Sequence, residues 1–184
     1  MKSNKILFVA VVLILGTSLS GCIGVNHGFR GIRTAIINDL GGDFDKEIEF
    51  SVGPAGILFV SAIAGMADLE EDVDIAAMLR QISRVQIGVY KRERGNDTKP
   101  SINLLRKISD KMLRNGWQYI VRSVKDDEMA CVFVQTKNGD HLNEVFIIAL
   151  SDEDLVITEV LGNLDALIEI AIRNQGHNLN FANR

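Results

Sequence analysis

The side chains able to do chemistry in this sequence are two thiols, three imidazoles and several runs of carboxylates. Cys131 and His141 are close enough in sequence to suggest a nucleophile and its base, which need hydrogen-bond contact to work. The residues around Cys131 argue otherwise. Met129 and Phe133 share its side of an alternating run and Ala130, Val132 and Val134 occupy the other, so the thiol reads as a small buried hydrophobe in a strand. His141 then falls near the far end of the neighbouring strand. His27, His141 and His177 show no metal-ligand spacing. Asp68, Glu70, Glu71, Asp72 and Asp74 lack the alternating ligands, glycine and closing glutamate of a calcium loop. They lead into a helix, where Asp72 or Asp74 can cap the first turn and favour the dipole. Asp126-Asp127-Glu128 and Asp152-Glu153-Asp154 read as turns. The sequence has no Gly-x-Ser-x-Gly elbow, no phosphate-cradling glycine loop and no His-Glu-x-x-His. It therefore nominates no catalytic residue, no cofactor and no metal site.

Cys22 differs, because what precedes it defines a reaction. Lys2 and Lys5 make a cationic start, Ile6 to Leu15 is a run without charge or amide, and Leu19-Ser20-Gly21-Cys22 follows. Basic start, apolar middle and small-residue end are the order of a secretory signal. The apolar run is too short for a spanning helix, which needs about 20 residues. Leu19, Ser20, Gly21 and Cys22 resemble the bacterial lipobox, in which cleavage precedes the cysteine and its sulfur takes a diacylglycerol. Cys22 is accordingly the expected lipidation site and first mature residue, with a triacylated (palmitate-type) product as the resemblance implies. Several chains on one residue give stable anchoring where one does not. Ile23 stands where an aspartate favours inner-membrane retention. The expected location is thus the cell envelope on the extracytoplasmic side, at the outer membrane facing the periplasm in a Gram-negative host.

Positioning follows from composition and pattern. The 184 residues carry 20 basic and 24 acidic side chains, net −4, and the two signal lysines make the mature part more acidic still. Nucleic-acid binding rests on phosphate neutralisation and is not expected. With Cys22 committed to lipid, Cys131 has no partner for an internal disulfide. The expected organisation is a signal over residues 1–21, a glycine-rich lipidated tether over 22–31, one domain over 32–176 and a polar tail over 177–184.

Within the domain, Ile32 to Leu40 predicts a short helix stopped by Gly41-Gly42, and Glu47 to Val52 a strand. Phe50 to Ala67 has no charge, and Pro54 suits the first turn of a helix through Met66 packed on the core. Ile75, Met78, Leu79 and Ile82 stripe a helix over Val73 to Ile82; Val85, Ile87 and Val89 alternate as a strand. A helix from Ser101 to Asn115 puts Ile102, Leu105, Ile108 and Met112 on one face and stops at Gly116. Its other side carries Lys107, Lys111 and Arg114, a candidate interaction face for an acidic partner or anionic lipid.

From Trp117 the period becomes two. Trp117–Val124, Glu128–Thr136, His141–Leu150 and Asp154–Leu161 are separated by short turn-forming connectors, which force antiparallel neighbours. The fold class is α+β: a mainly antiparallel sheet with a C-terminal four-stranded meander and about four helices. Two of these strands are apolar on both faces, so the sheet must be covered twice or offer one face to something else. Gly162-Asn163 introduces a last helix, Leu164 to Arg173.

Val85-Gln86-Ile87-Gly88-Val89-Tyr90, Met112-Leu113-Arg114-Asn115-Gly116-Trp117 and Val160-Leu161-Gly162-Asn163-Leu164-Asp165 resemble segments of a bacterial lipoprotein family, domain of unknown function 4252. The likeness runs from Ile48 to Arg173 and departs from the family in the glycine-rich, charge-free helix after Pro54. It implies an address and a shape, and carries over no catalytic residue. The functional expectation is a membrane-anchored, non-enzymatic lipoprotein that docks an envelope protein or serves envelope signalling or structure. The alternative is a small-ligand binder or enzyme with a pocket between the sheet and the Pro54–Met66 helix. A deep pocket with convergent polar groups favours the second, a flat apolar patch rimmed by charge the first.

Overall fold

The computed structural model describes residues 24–58, 75–93, 99–137 and 141–170. Helix α1 (His27–Asp39) leads to strand β1 (Phe44–Val52); helix α2 (Ile75–Gln81) runs directly into β2 (Ile82–Arg92). Helix α3 (Ile102–Arg114) precedes β3 (Gln118–Lys125), β4 (Glu128–Lys137), β5 (His141–Leu150) and β6 (Asp154–Gly162). Residues 54–58 and 164–170 are also helical. The six strands form one antiparallel sheet in the order β1-β2-β6-β5-β4-β3, so the expected meander forms its larger part and β2 adds beside β6. The α+β fold class holds.

Local chemistry explains the element ends. Ser101 caps α3 by accepting from the Leu104 N–H at 3.2 Å, and Gly116 at φ +82° lets the chain leave it. Asn26 caps α1 by accepting from the Phe29 N–H at 2.8 Å, and Gly41 and Gly42, both at positive φ, end it. At the β3–β4 hairpin Asp126 itself takes φ 52°, a conformation that aspartate tolerates in tight turns.

One face of the sheet is the core. Met129, Cys131 and Phe133 of β4, Phe146, Ile148 and Leu150 of β5, and Leu155 and Ile157 of β6 are buried there. They meet Phe29 and Ile36 of α1, Leu40 just after it, and Leu105, Ile108 and Met112 of α3. The opposite face holds Val132, Val145, Ile147, Ala149, Val156 and Val160, mostly half-buried. β1 and β3 are the edges. β3 exposes Tyr119, Ile120 and Val121, but a bulge between Tyr119 and Val121 and an Arg122 guanidinium 3.7 Å over the Tyr119 ring blunt it for strand pairing.

Two glycines are required by close approach. A Cβ at Gly88 would lie 2.2 Å from the Tyr90 hydroxyl, because the Tyr90 ring folds back over this position. One at Gly162 would lie 2.1 Å from the Gln81 carbonyl oxygen, which accepts from the Asn163 N–H at the α2–β2 junction.

Several boundaries differ from expectation. α1 begins at His27, not Ile32, and takes in five residues assigned to the tether; Val25 ahead of it is 2% exposed. Gly28 and Gly31 weaken the helical signal, but the Asn26 cap and the Phe29, Ile32, Ile36 and Leu40 stripe outweigh them. Ile82, assigned to the helix stripe, is the first residue of β2, and β1 starts at Phe44. In the charge-free segment Phe50–Val52 belong to β1, while residues 54–58 are helical, with Ile57 buried and Leu58 60% exposed. The remainder through Ala67 lies outside the described residues, as do Asp72 and Asp74, residues 171–184 and the signal with Cys22.

Candidate functional site

Where the chain enters the fold, a polar seam crosses the apolar core. The Asn26 N–H donates to Gln86 Oε1 at 2.6 Å, and Gln86 Nε2 donates to Glu159 Oε2. Gln86 is 0% exposed and Glu159 2%. Both point inward by strand alternation, Gln86 with Gly88 and Tyr90, Glu159 with Leu155 and Ile157, and the two are register partners. Glu144 on β5 shares the face and hydrogen-bonds Glu159; Arg84 on β2 is also near. Burial and then the adjacent Glu144 push the Glu159 carboxyl up to about 8, against the opposing pull of Gln86 and Arg84. The raised value favours the uncharged form of the Glu159 carboxyl at neutral pH. Gln86 links the Asn26 backbone to Glu159, so the seam fastens the chain entering α1 to the sheet. Sequence reasoning passed over Gln86 and Glu159. The available signal was a polar residue at an inward position of an otherwise apolar strand face.

Two further ionic clusters tie α1 to its neighbours. Arg33 pairs with Glu49 at 2.6 Å, and the Tyr90 hydroxyl donates to the same carboxylate oxygen at 2.6 Å. Burial first, then Glu49, raises the Tyr90 phenol well above its ordinary value. Asp39, at the end of α1, accepts from Lys107 at 3.2 Å and from Lys111, whose ammonium also reaches the Ala35 carbonyl at 3.1 Å. Burial raises the Asp39 carboxyl, but the two ammonium groups outweigh it and hold it below the usual value. Of the candidate interaction face, Lys107 and Lys111 are thus joined to Asp39, and Arg114 is exposed in the last turn of α3.

Cys131 is 0% exposed, and burial pushes its thiol up to about 11. It opposes Ile148, whereas His141 opposes Lys137 at the other end of the same strand pair. The structure keeps this thiol and imidazole apart. Native protein is therefore expected to resist an alkylating reagent at Cys131 and to react once denatured; fast native labelling would show an exposed, activated thiol. His141 instead faces Asp165 at 3.3 Å, and Asp165 also accepts from the Leu142 N–H at 3.1 Å.

Beside them a shallow cleft of about 530 Å³ opens between the end of α2 and the ends of β5 and β6, lined by Arg80, Ser83, His141, Asn143 and Asn163. The buried Asn143 Oδ1 has no hydrogen-bond partner there. Among the described residues no three His, Cys, Asp or Glu side chains group as metal ligands. No described helix is long and apolar enough to cross a membrane, which leaves strands untested.

The fold and its seams define an α+β domain with one six-stranded antiparallel sheet, helices against its buried face, and inward polar groups joined to one another. The chain belongs to the family described as domain of unknown function (DUF4252), whose model matches residues 52–167, from the end of β1 through β6 into the last described helix. No curated protein and no solved structure matches the chain.

Proposed function

We propose that this protein is a bacterial envelope lipoprotein, anchored through lipid on Cys22, whose domain is a non-enzymatic docking, signalling or structural module. The observation that carries it is the order Leu19-Ser20-Gly21-Cys22 behind a cationic start and an apolar run, three residues ahead of a folded Val25. The buried and half-buried ionic groups support the same reading. Glu49, Asp39 and Glu159 are engaged by Arg33 and Tyr90, by Lys107 and Lys111, and by Gln86 and Glu144. Each group joins elements of the fold together. The membrane is the first partner, through Cys22; an envelope protein is the second, met by exposed surface such as that around Arg114. Placement at the outer membrane facing the periplasm follows from Ile23 in a Gram-negative host.

Cys22→Ser is expected to abolish incorporation of labelled fatty acid and to leave the protein unprocessed or released. Undiminished labelling and unchanged membrane partition would end the reading.

A small-ligand role is the second reading, favoured by the unpartnered Asn143 Oδ1 in the Arg80–Asn163 cleft. Asn143→Leu would then abolish a ligand-dependent rise in melting temperature.

A further inference from the structure

We propose that the domain is held at the membrane in one orientation, with the end that carries Arg30, Arg80 and Arg114 against the lipid headgroups. This rests on lipidation of Cys22 and adds to it a defined surface and a defined occupant.

The first argument is reach. Val25 is 2% exposed in the core, and the Asn26 N–H is tied to the buried Gln86 side chain. Cys22 lies three residues before Val25, and fully extended chain spans at most about 3.6 Å per residue, so the lipidated residue stays within about 11 Å of that buried point. β4 has ten residues, which at about 3.3 Å each makes the sheet about 30 Å long. The slack is thus about a third of the length of the domain. A linker that short cannot turn the far end of the sheet toward the bilayer.

Register identifies both ends. Asn26 meets the sheet at Gln86, near the start of β2, which pairs with the end of β6; the start of β5 pairs with the end of β4 beside them. The first turn of α1, the last turn of α3 and the end of α2 belong to this end. They present Arg30, Arg114 and Arg80, all exposed, and the cleft lined by Arg80 opens here. Asp165, also at this end, is engaged by His141 and the Leu142 N–H. At the opposite end lie the hairpin turns with exposed Asp126, Asp127 and Glu128, and Asp152 and Glu153, together with Asp43 before β1. Lys99 pairs with Asp127 at 3.9 Å and Lys91 and Lys125 are exposed there too, but the carboxylates outnumber them.

The second argument is therefore charge. Anionic headgroups attract arginine near the surface and repel clustered carboxylates. Among the described residues, reach and charge select the same end. The acidic turns point away from the bilayer, available to a partner from the aqueous side.

The test uses the full chain, made and processed in bacteria, with one added cysteine. Arg80→Cys marks the membrane end and Asp152→Cys the far end, with Arg114→Cys and Asp127→Cys as second positions should either fold poorly. Each is labelled with a bimane fluorophore and reconstituted in phosphatidylethanolamine–phosphatidylglycerol vesicles containing a headgroup spin-labelled lipid. Cys131 is buried and Cys22 acylated, so the added thiol takes the label. The expected result is quenching at least threefold stronger at position 80 or 114 than at 152 or 127. Equal or reversed quenching in protein shown by mass to carry acyl chains overturns the orientation and leaves the anchor standing. Protein without acyl chains on Cys22 overturns both.

Discussion

The unfolding free energy of this protein should fall as pH rises from about 4.5 to about 8, and Glu159→Gln should remove most of that slope. Glu159 is buried beside Glu144, and its carboxyl titrates near 8 in the folded chain against 4.5 in the unfolded one. Below 4.5 both states hold the proton and the group contributes no pH dependence. Above 4.5 the unfolded chain releases its proton while the folded protein keeps it, so each pH unit favours unfolding. The loss is complete once the folded carboxyl ionises, above about 8. At about 1.4 kcal/mol per unit the span is on the order of 3–5 kcal/mol, a large part of the stability of a domain this size. Other shifted groups act in different windows. Asp39 is lowered from 3.8, so its contribution is present above that value and lost only as pH falls below it. Cys131, raised from 9 to about 11, and Tyr90, raised from 10, weaken the fold only in alkali. Denaturant titrations at pH 5, 6, 7 and 8 read the slope directly. The glutamine variant keeps a partner for Gln86 and should match the native protein at pH 5 and exceed it at pH 8. An unchanged slope would mean that Glu159 ionises normally in the fold.

Strands were the most legible part of the sequence, for a reason visible in β4 to β6. Their alternation is set by burial on one face, as at Leu155, Ile157 and Glu159, and a one-residue slip would expose the whole inward set. The connectors Lys125-Asp126-Asp127-Glu128 and Ser151-Asp152-Glu153-Asp154 are short and rich in turn formers, which fixes the antiparallel order. Helix α3 was legible through Ser101 and Gly116. What alternation could not supply is the position of β2 beside β6, a pairing across about 70 residues of chain that depends on the whole sheet closing. The start of α1 was hidden because its stabilising contacts are tertiary. Gln86, 60 residues away, receives the Asn26 N–H, and no local pattern announces it. The candidate site shows the same division. Cys131 was readable as core because strand alternation is local. The Gln86–Glu159 seam was not, because each residue alone is one polar position in an apolar run and only register makes them a pair.

The largest loss from a single truncation is expected at Phe146. Its ring is 0% exposed and lies 5.5 Å from Trp117, edge-on at 67°, and 5.9 Å from Phe29 of α1, with Phe133 its cross-strand neighbour. It therefore joins β5 to α1 and to the chain leaving α3, next to Glu159 on β6. Removing the ring deletes its transfer free energy and leaves a cavity walled by three aromatic side chains that cannot collapse into it. Phe146→Ala should cost about 3–5 kcal/mol. The next residue provides the control. Ile147 faces the other way and is 36% exposed, so part of the lost side chain already met water, no enclosed cavity forms, and Ile147→Ala should cost less, about 1–2 kcal/mol. Urea midpoints at constant m-value give the two losses, and Trp117 fluorescence should shift to the red in the Phe146 variant alone, as water enters beside the indole. A larger loss at Ile147 than at Phe146 would place the core on the opposite face of the sheet, and α1 and α3 would no longer be the helices that cover it.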